Sequence, residues 1–148
     1  MNRYTIRKIE SADYPKLLSL FEELAIFEKL LSKMTNSLQR MKNEKDFIKG
    51  FVAVKEDNEI IAYATYFFAY YTWTGKSIYM DDLYVRLDFR GQGIGPKLIK
   101  KIIGVMKDEK CHKLRWQVSK WNKSAINFYK KLGATVDNIE LNCDLLDV

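Results

Sequence analysis

Three of the chain's seven glycines fall within five positions, in the run Arg90-Gly91-Gln92-Gly93-Ile94-Gly95. Glycine weakens regular structure, so such a cluster marks a place where backbone passes close to something else. The run separates a strand-like stretch ending in "LYV" from a helix-like stretch that begins near Gly93. A strand that enters a glycine turn and opens a helix leaves main-chain N–H groups without partners. Those donors and the positive helix end favour an anion, a pyrophosphate above all. Lys97, Lys100 and Lys101 add positive charge on and beyond the first turn. The alternative is a glycine turn that serves only to reverse the chain. Two familiar phosphate loops do not fit. The dinucleotide pattern G-x-G-x-x-G needs glycine where Pro96 stands, and the Walker pattern needs Ser or Thr where Leu98 follows Lys97.

Other chemistry is limited by what the chain contains. His112 is the only histidine, and Cys111 and Cys143 form no CxxC pair, so a Cys/His zinc site or a histidine triad lacks its raw material. No metal is expected, and the two thiols read as reduced cysteines of a cytoplasmic protein. A net charge of +6 points to anionic company: nucleic acid, a membrane surface or a phosphorylated cofactor. Met1 is followed by mixed polar sequence, and the longest apolar run, "IIAYATYFFAYY", is too short for a helical span. Neither export nor membrane insertion is expected.

These residues need a scaffold, and 148 residues with 47% hydrophobic content suit a single domain, 1–148, with a proper core. Tyr4 to Ile9 alternates as a strand. A helix follows, with cap-like Ser11 and Asp13, Pro15 in its first turn, and Leu17, Leu20, Leu24, Phe27 and Leu31 at helical spacing. Ser32 to Lys49 is polar and allows a short second helix. Strands are expected at Phe51 to Lys55, Glu59 to Tyr71 and Ser77 to Val85, with turns at Asp57-Asn58 and Thr74-Gly75. A helix from Gly93 to Lys107, a strand from Lys113 to Val118, a helix from Ser124 to Leu132 stopped by Gly133, and a last strand from Ile139 to Leu145 complete the order. This order indicates an α+β or mixed α/β domain rather than a regular βαβ repeat.

"RGQGIG" is similar to the R/Q-x-x-G-x-G/A signature of the GNAT superfamily of N-acetyltransferases, and "VSKWNKSAINFYKKLGA" downstream resembles that family's second hallmark. "ELAIFEKL" and "TWTGKSIYMDDLYV" resemble the spermidine/spermine and thialysine N-acetyltransferase branch. The resemblance covers most of the chain and is weakest from Ser32 to Ile61 and at the end. It implies a central, mostly antiparallel twisted sheet flanked by helices. It also implies acetyl-CoA as acetyl donor, and a homodimer.

The reaction so implied is acetyl transfer to a primary amine by direct attack in a ternary complex. An alkylammonium of pKa ~10.4 must lose a proton first, and the departing thiolate gains from receiving one. The resemblance makes Tyr129 the general acid; the alternative is an ordinary core tyrosine. It makes Asp81 the residue that draws the proton away, directly or through water, with Asp82 a second acid beside it. Strand neighbours face opposite ways, so only one of the two is expected in a given cleft. Phe27, Glu28 and Trp73 are candidates for the amine pocket, each with an everyday alternative in packing or solvation. Leu83, Tyr84 and Val85 would offer main-chain groups to the peptide-like pantetheine arm. Arg90, Gly91, Gln92, Gly93, Ile94, Gly95 and Pro96 would hold the pyrophosphate. Asn122, Lys123, Ser124 and Ala125 would meet the far part of the cofactor. Pro96 removes one possible donor but is tolerated in a first helical turn.

The branch's polyamine enzymes carry an acid where this chain has Tyr71, which favours a short diamine or lysine-like amine over a long polyamine. Two other classes stand beside this reading. One is acetylation of protein or peptide amines; the other is a basic nucleic-acid-binding domain without catalysis.

Overall fold

The computed structural model describes residues 3–147. They fall into two compact units, Met1–Gln117 and Val118–Val148. In the first unit, β1 (Tyr4–Lys8) is followed by α1 (Tyr14–Phe27) and a short α2 (Leu38–Asn43). Then come β2 (Lys49–Lys55), β3 (Ile60–Tyr71), β4 (Gly75–Val85), α3 (Ile94–Asp108) and β5 (Lys113–Arg115). The strands make one sheet in the order β1-β2-β3-β4-β5, antiparallel throughout except for the parallel β4–β5 pair. This is the mixed α/β class expected, with a mostly antiparallel sheet flanked by helices.

Side-chain period explains the layers. Leu17 and Leu20 of α1, with Met41 of α2, form one core with Val52 and Val54 of β2, Tyr63 of β3 and Tyr84 of β4. Ile94, Leu98, Ile99 and Ile102 are buried on one side of α3, which packs on β2, β3 and β4. The start of α1 departs from the expected capping. The Asp13 carboxylate makes no cap bond to α1; it closes a capping box on the preceding turn, Ser11–Asp13, accepting from the Glu10 N–H at 2.8 Å, and Arg7 donates to it at 2.8 and 2.9 Å. Burial works against that charge, but these donors hold the carboxyl below its ordinary range. Ser37 does act as a cap, accepting from the Arg40 N–H at the start of α2.

Two strands differ from expectation. β5 ends at Arg115 rather than Val118, and pairing with β4 covers only Ser77–Tyr79. Just beyond, β4 carries an extra residue in its pairing with β3, and such a bulge bends the strand away from a straight neighbour. The edge of β4 from Met80 to Val85 is therefore paired on one side only among the described strands.

The second unit holds α4 (Lys123–Lys131). Asn122 caps it, its side chain accepting from the Ala125 N–H at 3.2 Å. Gly133 ends it at φ +96°, a conformation that favours glycine. The expected strand from Ile139 to Leu145 does not form. The alternating residues are present, but Ile139, Leu141 and Leu145 stay exposed, and no described strand pairs with them. Among the described residues no helix is long and apolar enough to cross a membrane.

Candidate active site

The bulge in β4 decides what the first unit can do. Thr65 lies opposite Asp82 and Tyr66 opposite Met80, which leaves Asp81 as the unpaired extra residue. Two residues then face one partner, and the strict alternation of side chains is suspended. Both Asp81 and Asp82 consequently line the same cavity, which corrects the expectation that only one of them would.

That cavity has a volume of about 460 Å³. Phe21, Leu24 and Ala25 of α1 make one wall, and Glu28 follows them from just past the helix end. Phe47, Ile48 and Lys49 enter from the start of β2, and Thr65, Tyr66 and Phe67 from β3. Lys33 and Met34 complete the rim. A mostly apolar pocket holding three carboxylates is matched to an alkyl chain that carries a cation.

The electrostatics separate the two aspartates. Tyr63, fully buried beneath the cavity, donates its phenol to Asp82 Oδ2 at 2.8 Å. The Phe21 ring meets the Tyr63 ring edge-on at 5.1 Å, fixing it in place. Burial pushes the Asp82 carboxyl up to about 6; the Asp81 and Glu28 charges add to the rise, while the Tyr63 hydrogen bond opposes it. Asp81 is raised by burial alone and has no hydrogen-bond or ion-pair partner among the described residues. Burial and the Asp82 charge lift the Tyr63 phenol well above its usual range, so it stays a donor.

The other expected pocket residues lie elsewhere. Trp73 is 97% exposed at the tip of the β3–β4 hairpin and does not line the cavity. Phe27 stacks under the Arg90 guanidinium at 4.6 Å, which turns it from the cavity while its neighbour Glu28 faces in. Arg90 also donates to the Val85 carbonyl at 2.8 Å, so it ties the glycine loop to the end of β4. Tyr84 points its phenol to Glu23 at 3.2 Å, leaving its main chain as the part that can serve a ligand.

The loop itself has the geometry of an anion cradle. Gly91 and Gly93 sit at φ +77° and +79°, and Gly93 caps α3. Among the described residues the N–H groups of Gly91, Gln92 and Gly93 donate to no protein acceptor. The first N–H groups of α3 add further donors, apart from Pro96, which has none, and Lys97, whose N–H bonds Gly93 O. A Cβ at Gly91 or Gly93 would meet no atom within 4 Å, so the space above the loop is open. Gln92 Oε1 is buried without a partner, the kind of group an incoming ligand satisfies. In the second unit the N-terminus of α4 presents the first-turn residues Lys123, Ser124 and Ala125, and Tyr129 is buried beside Phe128 with ring centroids 5.3 Å apart.

Sequence reasoning missed Tyr63, Phe21 and Thr65. The signal was faint: "IIAYATYFF" shows a strand, but which of its residues meets the aspartates depends on cross-strand register.

Known proteins agree with this architecture. The chain is 37% identical over 140 residues to Thialysine N-epsilon-acetyltransferase of Sus scrofa, covering 87% of this chain and 82% of that protein. The Bos taurus protein of the same name is 39% identical over the same spans. The solved structure of integron cassette protein VCH_CASS6 from the mobile metagenome of V. cholerae superposes with a TM-score of 0.77. It is 25% identical, with 97% of this chain and 93% of that one covered. The acetyltransferase (GNAT) family matches residues 4–134, across both units. With the cradle, the carboxylate-lined cavity and the sheet already in place, that match settles membership: the chain belongs to the acetyltransferase (GNAT) family.

Proposed function

We propose that this acetyltransferase moves the acetyl group of acetyl-CoA to a primary amine of a small diamine, polyamine or lysine-like molecule, by direct attack within a ternary complex. The observation that carries the reading is the placement of Glu28, Asp81 and Asp82 on one largely apolar cavity. Carboxylates hold the ammonium, and the Phe21 and Leu24 wall accepts the alkyl chain. A short or lysine-like amine suits this cavity better than a long polycation. Lys33 and Lys49 also line it. Those cations would repel a second or third ammonium. The family match supports one acetyltransferase domain over residues 4–134.

The residues present fit acetyl-CoA. Gly91, Gln92, Gly93, Ile94 and Gly95 would hold its diphosphate through main-chain donors, the Leu83–Val85 edge would pair with its pantetheine arm, and the start of α4 would receive its far part. When bound, acetyl-CoA supplies an acetyl thioester to the amine. The Asp81–Asp82 pair supplies the carboxylate that takes a proton from the ammonium so that its lone pair is free, and Tyr129 gives a proton to the departing sulfur. An ordinary phenol, pKa ~10, is well matched to a thiolate of similar basicity.

The cradle predicts opposite outcomes for two glycines. Gly93→Ala forces a Cβ into the left-handed region, at a cost of about 1–2 kcal/mol, and is expected to weaken acetyl-CoA binding at least about tenfold. Gly95 has no positive φ, and a Cβ there meets only Val85 Cγ2 at 3.9 Å. Gly95→Ala should keep the affinity within about threefold, because 3.9 Å is ordinary contact. Calorimetry on both variants checks the pair.

The acceptor is tested by an amine panel with acetyl-CoA: spermidine, putrescine, lysine, thialysine and a peptide. Turnover is expected with thialysine or a short diamine ahead of spermidine; acetylation of the peptide alone would refute the small-amine reading. The proposal extends to a cytoplasmic homodimer. Free Cys111 and Cys143 fit the compartment, and the exposed Trp73, Ile139, Leu141 and Leu145 offer apolar surface to a second copy. Light scattering that returned a monomer mass at working concentration would rule the dimer out.

A further inference from the structure

The resemblance singles out Asp81 as the group that draws the proton away, but the geometry points elsewhere. We infer that Asp82 accepts the amine's proton, that Tyr63 is the positioning residue that holds it for this task, and that Asp81 serves to attract the ammonium. This rests on the acetyl-transfer reading above. A proton acceptor must be held where the proton will be, and only one of the two carboxylates is held. Asp82 stands in the paired register of β4 opposite Thr65, with Oδ2 anchored at 2.8 Å by a phenol that is 0% exposed. Asp81 is the bulged residue, with no anchoring bond among the described residues.

The step balances simply. The N–H bond of the ammonium breaks, an O–H bond forms at Asp82 Oδ1, and the electron pair stays on nitrogen for attack on the acetyl carbon. The proton passes to water when product leaves. Tyr63 never loses its proton; its hydrogen bond favours the ionised carboxylate and keeps Asp82 available as base near neutral pH.

Other charges bear on Asp82 from each side of the cavity. Asp81 adjoins it on β4, Glu28 faces it from the end of α1, Lys33 from the following turn and Lys49 from β2, with Tyr66 on β3. Removing Tyr63's hydroxyl should raise the carboxyl's pKa, and removing Asp81's charge should lower it. The acid limb of the rate profile follows these two shifts only if Asp82 is the group that takes the proton.

The test follows the aspartate carboxyls by NMR on protein labelled with 13C-aspartate, alongside the pH profile of kcat/KM for the best amine of the panel. Asp82→Asn identifies the resonance. Tyr63→Phe keeps the ring against Phe21 and is expected to shift the titration upward by about one pH unit, the size of a lost charge-assisted hydrogen bond, with the acid limb of the profile following. Asp81→Asn is expected to shift both downward and to raise KM for the amine, with kcat falling far less than in Asp82→Asn. The inference is overturned if the acid limb ignores the Asp82 titration, or if Asp81→Asn abolishes turnover while Asp82→Asn does not. Should Tyr63→Phe fail to fold, the Asp81→Asn arm still decides. If the wild type acetylates no amine while Asp82 titrates as described, the acetyl-transfer reading has failed, and the base role with it.

Discussion

Replacing Tyr129 with phenylalanine is expected to lower kcat about 100- to 1,000-fold, the usual worth of a general acid, while acetyl-CoA affinity changes less than about twofold. The substitution removes one oxygen and keeps the ring that packs beside Phe128 on α4. The ring packing is kept, and the cofactor should still bind. What is lost is the proton for the leaving sulfur. A reaction whose leaving group departs unprotonated must expel a free thiolate into a site of low polarity, which is why the loss falls on kcat. Single-turnover and steady-state rates on the variant check this. If turnover stays within threefold of wild type, Tyr129 is a core tyrosine and another group supplies the proton.

Asp82→Asn is expected to do two things at once. It should cut kcat/KM about 100- to 1,000-fold, because the proton acceptor is gone. It should also stabilise the protein near pH 7 by up to about 3 kcal/mol, since the carboxyl lies about two units above its ordinary value and each unit is worth about 1.4 kcal/mol. Its direction follows from the raised carboxyl. Asp82 has a pKa of about 6 when folded, above the ordinary aspartate value, so the folded state holds this proton more tightly than the unfolded chain. Its ionisation therefore costs stability, increasingly as pH rises through that window and fully above it. Asparagine cannot ionise, yet its side-chain oxygen can still accept from Tyr63. The variant should melt higher than wild type at pH 7 to 8, and the two should converge near pH 4. A lower melting temperature at neutral pH would mean that the Asp82 charge is well compensated and not held at a cost.

What could be read from the chain divides by distance along it. The glycine cradle was legible because its parts are contiguous: Gly91 and Gly93 take the left-handed conformations their type suggests, and α3 begins where Ile94 follows them. The apolar spacing of Leu17, Leu20 and Leu24 likewise showed α1, although the helix stops at Phe27, where Lys29 at φ +61° breaks it before Leu31. The strands β2, β3 and β4 were visible as alternating or apolar runs between clear turns. The bulge was not visible. It arises where Thr65 and Tyr66 shift their partners on β4, and nothing in "YMDDLYV" alone says which residue is extra. That shift overturned the expected facing of Asp81 and Asp82.

The Tyr63–Asp82 bond spans 19 residues and depends on the same register, so local pattern was silent about it. Phe27 and Glu28 show the limit of helix-end reasoning: one residue of rotation sends the ring to Arg90 and the carboxylate to the cavity. Ile139 to Leu145 shows the limit of alternation. A strand needs a neighbour to hydrogen-bond, and the apolar pattern records only that these side chains await burial.

Acetyl transfer by this chain depends most on the main-chain donors between Gly91 and Gly95 gripping a diphosphate. The most direct test is calorimetric titration of the purified chain with acetyl-CoA, S-acetyl-4′-phosphopantetheine and S-acetylpantetheine. The last two share the thioester arm, lack the adenosine, and differ from each other only in the phosphate nearest that arm. Saturable binding of acetyl-CoA at micromolar levels, at least about 100-fold tighter than S-acetylpantetheine, is the expected result, with the phosphorylated arm also tighter than the bare one, since charge-assisted bonds to an anion carry most of the affinity. Equal affinity for the two arms, or no heat with acetyl-CoA at millimolar levels, would contradict it.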